Sequence, residues 1–195
     1  MKTFHWNLKI LFIFSAIFAA IHLSNAQEEN KAPDGFTWQI LPSVNGAILK
    51  PKEWFFHHID VPKEKRFMLI FSRENYQAGE KLNTSIKLII ICGIPEKKNI
   101  SPSEYIEDFI NQISSSTKIE NRTRKERASF IEYTFSRVDK SKVSSGTIRE
   151  YFLGLANNKS GTVYLFSFIT PIERWDKDFP IAETIFNNLR LDDNL

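Results

Sequence analysis

The sequence predicts an α+β domain, a central antiparallel β-sheet covered by helices in a layered α/β/α sandwich. Three observations predict it. Short apolar or alternating runs recur with turn residues between them, which is the pattern of hairpin-connected strands. One segment in the middle of the chain, Ser101–Ile113, has helical periodicity with a start signal, and a second, around Ala182–Leu189, ends the chain. Two amphipathic helices that far apart in sequence can cover the faces of one sheet.

The first 26 residues stand apart. Lys2 and Lys9 form a positive start, Ile10–Leu23 is apolar save for Ser15 and His22, and Ser24-Asn25-Ala26 puts small residues before a cleavage point after Ala26. That is a secretory signal peptide, and its apolar run is shorter than the roughly 20 residues of a comfortable membrane span. An uncleaved N-terminal anchor is the competing reading. The expected mature chain starts at Gln27, is secreted or periplasmic, and has no transmembrane segment. Residues 27–35 read as a flexible polar leader and 36–195 as a single domain.

Along that domain, Phe36–Leu41 reads as a first strand. Ala47-Ile48-Leu49 leads to Pro51, which should break pairing and turn the chain. Trp54–Ile59 and Phe67–Ser72 read as a hairpin around the polar turn Asp60–Lys65. Thr84–Cys92 becomes uniformly apolar, as a strand covered on both faces does, and Gly93 and Pro95 end it. Ser101 with Glu104 forms a capping box, Pro102 takes the tolerated first helical position, and Tyr105, Ile106, Phe109, Ile110 and Ile113 form one stripe. The serines 114–116 should end this helix. Lys118–Arg127 is a charged hairpin segment, Ser129–Arg137 and Thr147–Ala156 alternate as strands, and Asn157–Gly161 is a hairpin loop. Val163–Ile169 reads as a buried strand ended by Pro171. Trp175 and Phe179 precede a helix carrying Ala182, Ile185, Phe186 and Leu189.

These pieces, in this order, resemble the PsbP-like family, that of the photosystem II extrinsic protein and of a Ran-binding nuclear-import factor. The resemblance spans residues 46 to 192. It rests on Pro51-x-x-Trp54, on Phe71-Ser72-Arg73-Glu74-Asn75, and on Thr84-Ser85-Ile86-Lys87-Leu88. The end matches best, with Tyr164-Leu165-Phe166-Ser167-Phe168 running to Pro171, Trp175-Asp176 and a helix that closes on Leu189-Arg190-Leu191-Asp192. The resemblance implies a sheet between helices and a binding or assembly role. It transfers no photosystem or Ran contacts, and the secretory leader argues against both of those roles.

The residues themselves present no organised catalytic set, cofactor site or metal site. His57 and His58 are adjacent on a strand and point to opposite faces, so they cannot chelate one metal together. Cys92 is the only cysteine, so it reads as a small buried hydrophobe, with a catalytic thiol the rival reading. Glu173, Asp176 and Asp178 suit the N-terminal dipole of the last helix. Ser115-x-x-Lys118 lacks the companion elements of a penicillin-binding site, and no Gly-rich phosphate loop or zinc-protease motif occurs. The run Arg122–Arg127 is diluted by acids and has no interleaved aromatic, so it reads as a solvated edge and not a nucleic-acid patch. Asn83, Asn99, Asn121 and Asn158 lie in glycosylation sequons, used or not according to the secretory route.

Charge agrees. The whole chain has 26 basic and 23 acidic residues, net +3, but Lys2 and Lys9 leave with the leader and 24 against 23 remain. A nearly neutral domain gives no global reason to bind nucleic acid or membrane. The reading is an exported non-catalytic binding or assembly module of PsbP-like fold. Its partner is a protein or small molecule of the envelope or extracellular space, and Trp54, Trp175 and Arg73 are possible contacts. A small secreted hydrolase and an inhibitor or immunity-type protein are the alternatives.

Overall fold

The strand Ser85–Ile91 (β5), which ends on the apolar run Leu88–Ile91, lies inside a seven-stranded antiparallel sheet. The protein is described by a computed structural model covering residues 31–41, 44–61, 66–75, 82–139 and 146–194. The leader, the cleavage point after Ala26 and residues 27–30 lie outside the described residues. Gly35–Leu195 forms one compact unit, and the account below concerns that unit.

Its elements in chain order are β1 (Phe36–Leu41), β2 (Gly46–Pro51), β3 (Phe55–Val61), β4 (Arg66–Ser72), β5, α1 (Ile94–Lys98) and α2 (Pro102–Ser116). There follow β6 (Ile119–Arg127), β7 (Phe130–Asp139), β8 (Ile148–Asn157), β9 (Thr162–Pro171), a 3-10 turn (Ile172–Arg174) and α3 (Trp175–Asn187). The large sheet has the order β3-β4-β5-β9-β8-β7-β6, and β1 and β2 pair separately as a hairpin. Every pairing is antiparallel.

Register assigns the faces, because residues directly opposite one another point the same way. One face carries the rows Leu69–Leu88–Phe166–Leu153 and Phe71–Ile86–Phe168–Tyr151. On it lies α3, whose Phe186 meets Phe166 at 5.7 Å and whose Phe179 meets Tyr151 at 5.1 Å. The other face carries Ile70–Lys87–Ser167–Phe152–Phe135 and Met68–Ile89–Leu165–Gly154–Tyr133. Buried Ile106 and Ile110 of α2 pack there, against Tyr133, Phe135 and Phe152. Gly154 allows that close approach: a Cβ there would lie 3.1 Å from Ile106.

The capping box forms as expected. The Ser101 hydroxyl accepts from the Glu104 N–H at 3.2 Å, and Glu104 accepts from the Ser101 N–H at 2.7 Å. The Ser101 N–H and, at 2.8 Å, the Ser101 hydroxyl donate to the Glu104 carboxylate and lower its pKa.

Several boundaries differ from the sequence reading, each for a local reason. Pro51 is the last paired residue of β2, opposite Phe36, and the turn follows it. At a strand end the missing N–H costs no ladder bond. The serines 114–116 stay inside α2, their hydroxyls bonded to carbonyls three residues back, and the chain leaves the helix at Thr117. Gly93, at φ 69°, turns the chain into the short α1, which local signals did not announce. The last helix starts at Trp175 and ends at Asn187, so Leu189 lies beyond it. Gly35, placed in the leader by composition, accepts from the Lys52 N–H at 2.9 Å.

The C-terminal segment is tied down residue by residue. Ala47 and Arg190 exchange both backbone bonds, 2.7 and 3.1 Å. The Tyr164 hydroxyl donates to the Asp192 carbonyl at 3.1 Å, and Asn157 donates to the Asp193 carbonyl at 2.6 Å. Burial pushes the Tyr164 hydroxyl pKa well above the ordinary phenol range.

Candidate functional site

The β1–β2 hairpin packs over the α3-bearing face of the sheet beside β3 and β4. Leu41 and Val44, 2% and 1% exposed, point down from it, and Leu69 and Ile90 point up from β4 and β5. Between them is a pocket of about 310 Å³ whose remaining walls are Phe56, His58, Phe67, Gln39 and Ile40. Among the described residues its lining is apolar except for Gln39 and His58, and includes no Lys, Arg, Asp or Glu. His58 is exposed at the rim, its ring 6.4 Å from Phe56, and His57 takes the opposite face as the alternation requires. Ligand pockets typically span about 300–1,000 Å³, mostly apolar with a few polar groups.

The three residues singled out in the sequence have different fates. Trp54 is 5% exposed and caps the core in the turn before β3; it offers no contact surface. The Lys50 ammonium secures that turn by donating to the carbonyls of Trp54 at 2.9 Å and Pro51 at 3.1 Å. Trp175 is half-buried, stacked on Phe179 at 4.6 Å with the Arg149 guanidinium 4.6 Å over its ring. Arg73 is held by an ion pair with Asp178 at 2.9 Å. Arg73, through Asp178, and Trp175 are thus both tied to the first turn of α3, while Trp54 belongs to a separate turn.

Asp178 lies in the first turn of α3, where the helix-dipole reading puts it, and the structure adds a second role. It is 0% exposed and accepts from Arg73, from Arg174 at 3.0 Å and from the Thr170 hydroxyl at 2.9 Å. Thr84 adjoins Thr170 at 3.2 Å, so the knot joins the residue after β4, the residue before β5, β9 and the first turn of α3. No sequence spacing reveals it, since Arg73 and Asp178 are 105 residues apart.

Two further concavities are more polar. A groove of about 490 Å³ beside α2 is lined by Met68, Ile70, Ile89 and Ile113, with Lys87 and the Arg137–Glu150 ion pair. Another, of about 560 Å³, lies between α3 and β6–β7. The basic run proves to be edge strand β6: Lys125 and Arg127 both pair with buried Glu132 at 3.0 Å, and Arg124 lies 3.8 Å from Glu107. Among the described residues no group of three or more His, Cys, Asp or Glu side chains is placed to hold a metal ion. Cys92 follows β5 and is half-buried. Asn99, Asn121 and Asn158 are exposed and Asn83 is half-buried. No described helix is long and apolar enough to cross a membrane.

The chain has a PsbP-like fold. It superposes on the cyanobacterial PsbP, CyanoP, of Synechocystis with a TM-score of 0.53 and 14% identity, covering 83% of this chain and 95% of that one. A Bacteroides thetaiotaomicron protein gives 0.49 at 10% identity, over 81% of this chain and 49% of its own. The Saccharomyces cerevisiae Ran-binding protein Mog1p gives 0.46 at 11% identity, over 80% and 95%. No family model matches the sequence, and no curated protein does.

Proposed function

We propose that this chain is an exported, non-catalytic binding module, a layered α/β/α sandwich of PsbP-like type. The hairpin pocket takes a small, uncharged, largely apolar ligand. The observation that carries the reading is the pocket itself: about 310 Å³, assembled from three sheet strands and the hairpin, with no formally charged side chain among the described residues that line it. The sandwich is supported by α2 and α3 lying on opposite sheet faces. A non-catalytic role is supported by the buried carboxylates Glu132, Glu150 and Asp178, each of which is engaged by a guanidinium of the same chain. Export rests on the leader, with its basic start, apolar run and small residues before Gln27.

Expression with the native leader in a bacterial host should release a chain whose N-terminal residue is Gln27, read by Edman degradation or intact mass. Recovery of the full-length chain in the cytoplasm would remove the export part of the reading.

For the pocket, titration of the chain from Gln27 to Leu195 with the neutral fluorophore N-phenylnaphthylamine should give saturable one-to-one binding. Ile40, 59% exposed on the rim, can be changed without disturbing the core. Ile40→Glu and Phe67→Glu each place a carboxylate against the apolar ligand and should weaken binding by at least about tenfold, with circular dichroism unchanged for the first. Absence of saturation in the parent chain, or equal affinity in Ile40→Glu, would overturn the pocket reading.

A further inference from the structure

The two outer strands of the seven-stranded sheet are built differently. At one end, β6 exposes Arg122, Arg124 and Lys125 and is broken by a bulge between Glu120 and Thr123. Charge and irregularity of this kind keep strand edges from pairing with other chains. At the other end, β3 carries no Lys, Arg or Pro between Phe55 and Val61, and its one charged residue, Asp60, is near the strand's end. It also holds two of the exposed large apolar side chains, Phe55 at 43% and Ile59 at 37%. These are four positions apart and therefore share a face, with His57 midway between them.

That spacing makes the strand complementary to itself. We propose that the β3 edge is a dimerisation surface, on which a second copy of this chain pairs antiparallel about a twofold axis through His57. In that register Phe55 of each chain stands opposite Ile59 of the other, an aromatic against a β-branched side chain, which is a favoured cross-strand pair. On the other face Phe56 stands opposite His58 of the second copy, the same ring pair that already stacks within one chain at 28° between planes. Asp60 falls outside the paired core Phe55–Ile59, so no like charges meet. Both members of each apolar pair come from the one strand, which is why a second copy fits this edge better than an unrelated extended peptide. The two sheets then run on as one. Strand addition of this kind takes its affinity from main-chain hydrogen bonds and its specificity from alternate side chains. Phe56 and His58 also line the pocket, but the two tests change different residues, Phe55 and Ile59 on the opposite strand face here and Ile40 and Phe67 there, so either reading can fail without the other.

Sedimentation velocity on the chain from Gln27 to Leu195, over roughly micromolar to millimolar concentration, should show a reversible monomer–dimer equilibrium. Phe55→Lys and Ile59→Glu should each weaken the dimer at least about tenfold, by burying a lone charge opposite an apolar residue. The chain carrying both substitutions should recover it, because each introduced lysine then faces the other copy's introduced glutamate. Both positions are exposed, so all three variants should keep the parent circular dichroism. A parent chain that stays monomeric throughout, a dimer indifferent to Phe55→Lys, or a double variant no more dimeric than the single ones would each overturn the proposal.

Discussion

Replacing Asp178 by alanine should lower the free energy of unfolding by about 3 kcal/mol, the largest loss expected from any single polar change. The carboxylate is fully buried and accepts four hydrogen bonds from three side chains: one from Arg73, two from Arg174 and one from Thr170. Removing one partner of such a cluster leaves the others desolvated without a counter-charge, which typically costs about 3–5 kcal/mol. The lower end applies because the two guanidinium side chains are 32% and 37% exposed and can turn towards water. Arg73→Ala should cost less, about 1–2 kcal/mol, since Asp178 keeps Arg174 and Thr170. Urea unfolding of the three proteins, with a common slope against denaturant, measures both. A smaller loss for Asp178→Ala than for Arg73→Ala would show that the carboxylate is not the centre of the knot.

Phe166→Ala should cost about 3–5 kcal/mol, the usual range for a buried phenylalanine. Phe166 is 0% exposed, sits on β9 between Leu88 and Leu153, and lies under Phe186 of α3. Truncation opens a cavity at the centre of the sheet, where strands on both sides restrict collapse. The same truncation at Phe55, 43% exposed, should change the stability of the dilute monomer by no more than about 0.5 kcal/mol. Thermal or urea unfolding of both variants gives the contrast. Equal losses would mean that the sheet faces have been assigned wrongly.

How much could be read from the chain depended on how local each signal was. Helix α2 was legible almost to the residue, since Ser101, Pro102 and Glu104 form a start signal within one turn and the apolar stripe follows directly. Its end was misplaced because serine hydroxyls can bond back to helix carbonyls as readily as they break a helix. β5 was legible from its uniformly apolar second half, Leu88–Ile91, although its cover is complete on one face only: on the other Lys87 is exposed and Ile89 half-buried. The opposed directions of His57 and His58 followed from the two-residue period alone. By contrast, Trp54 and Trp175 look alike as aromatics beside turns, yet one is buried and the other half-exposed. Side-chain identity does not say which of two turns the rest of the chain will cover.

The pocket was invisible for the same reason. Leu41 and Val44 read as strand and turn residues, Leu69 and Ile90 as core, and nothing in their spacing says that the hairpin stops short of the sheet at that point. The burial of Asp178 was equally invisible, because a carboxylate in a first helical turn is adequately explained by the helix dipole until its neighbours are known.

By itself the sequence determined the export leader as an expectation, the α+β class, the order of most strands, the α2 cap and the PsbP-like resemblance. All of these rest on periodicity and on residues within a few positions of one another. Only the tertiary structure decided that Arg73 serves Asp178, that Lys125 and Arg127 of the basic run share Glu132, and that Phe55 and Ile59 stand together on an outer strand. It alone showed the pocket beneath the hairpin. Those outcomes depend on strand order and on contacts such as Arg73–Asp178 across 105 residues. Such contacts form by closing long loops and excluding water, and a short stretch of chain carries no trace of them.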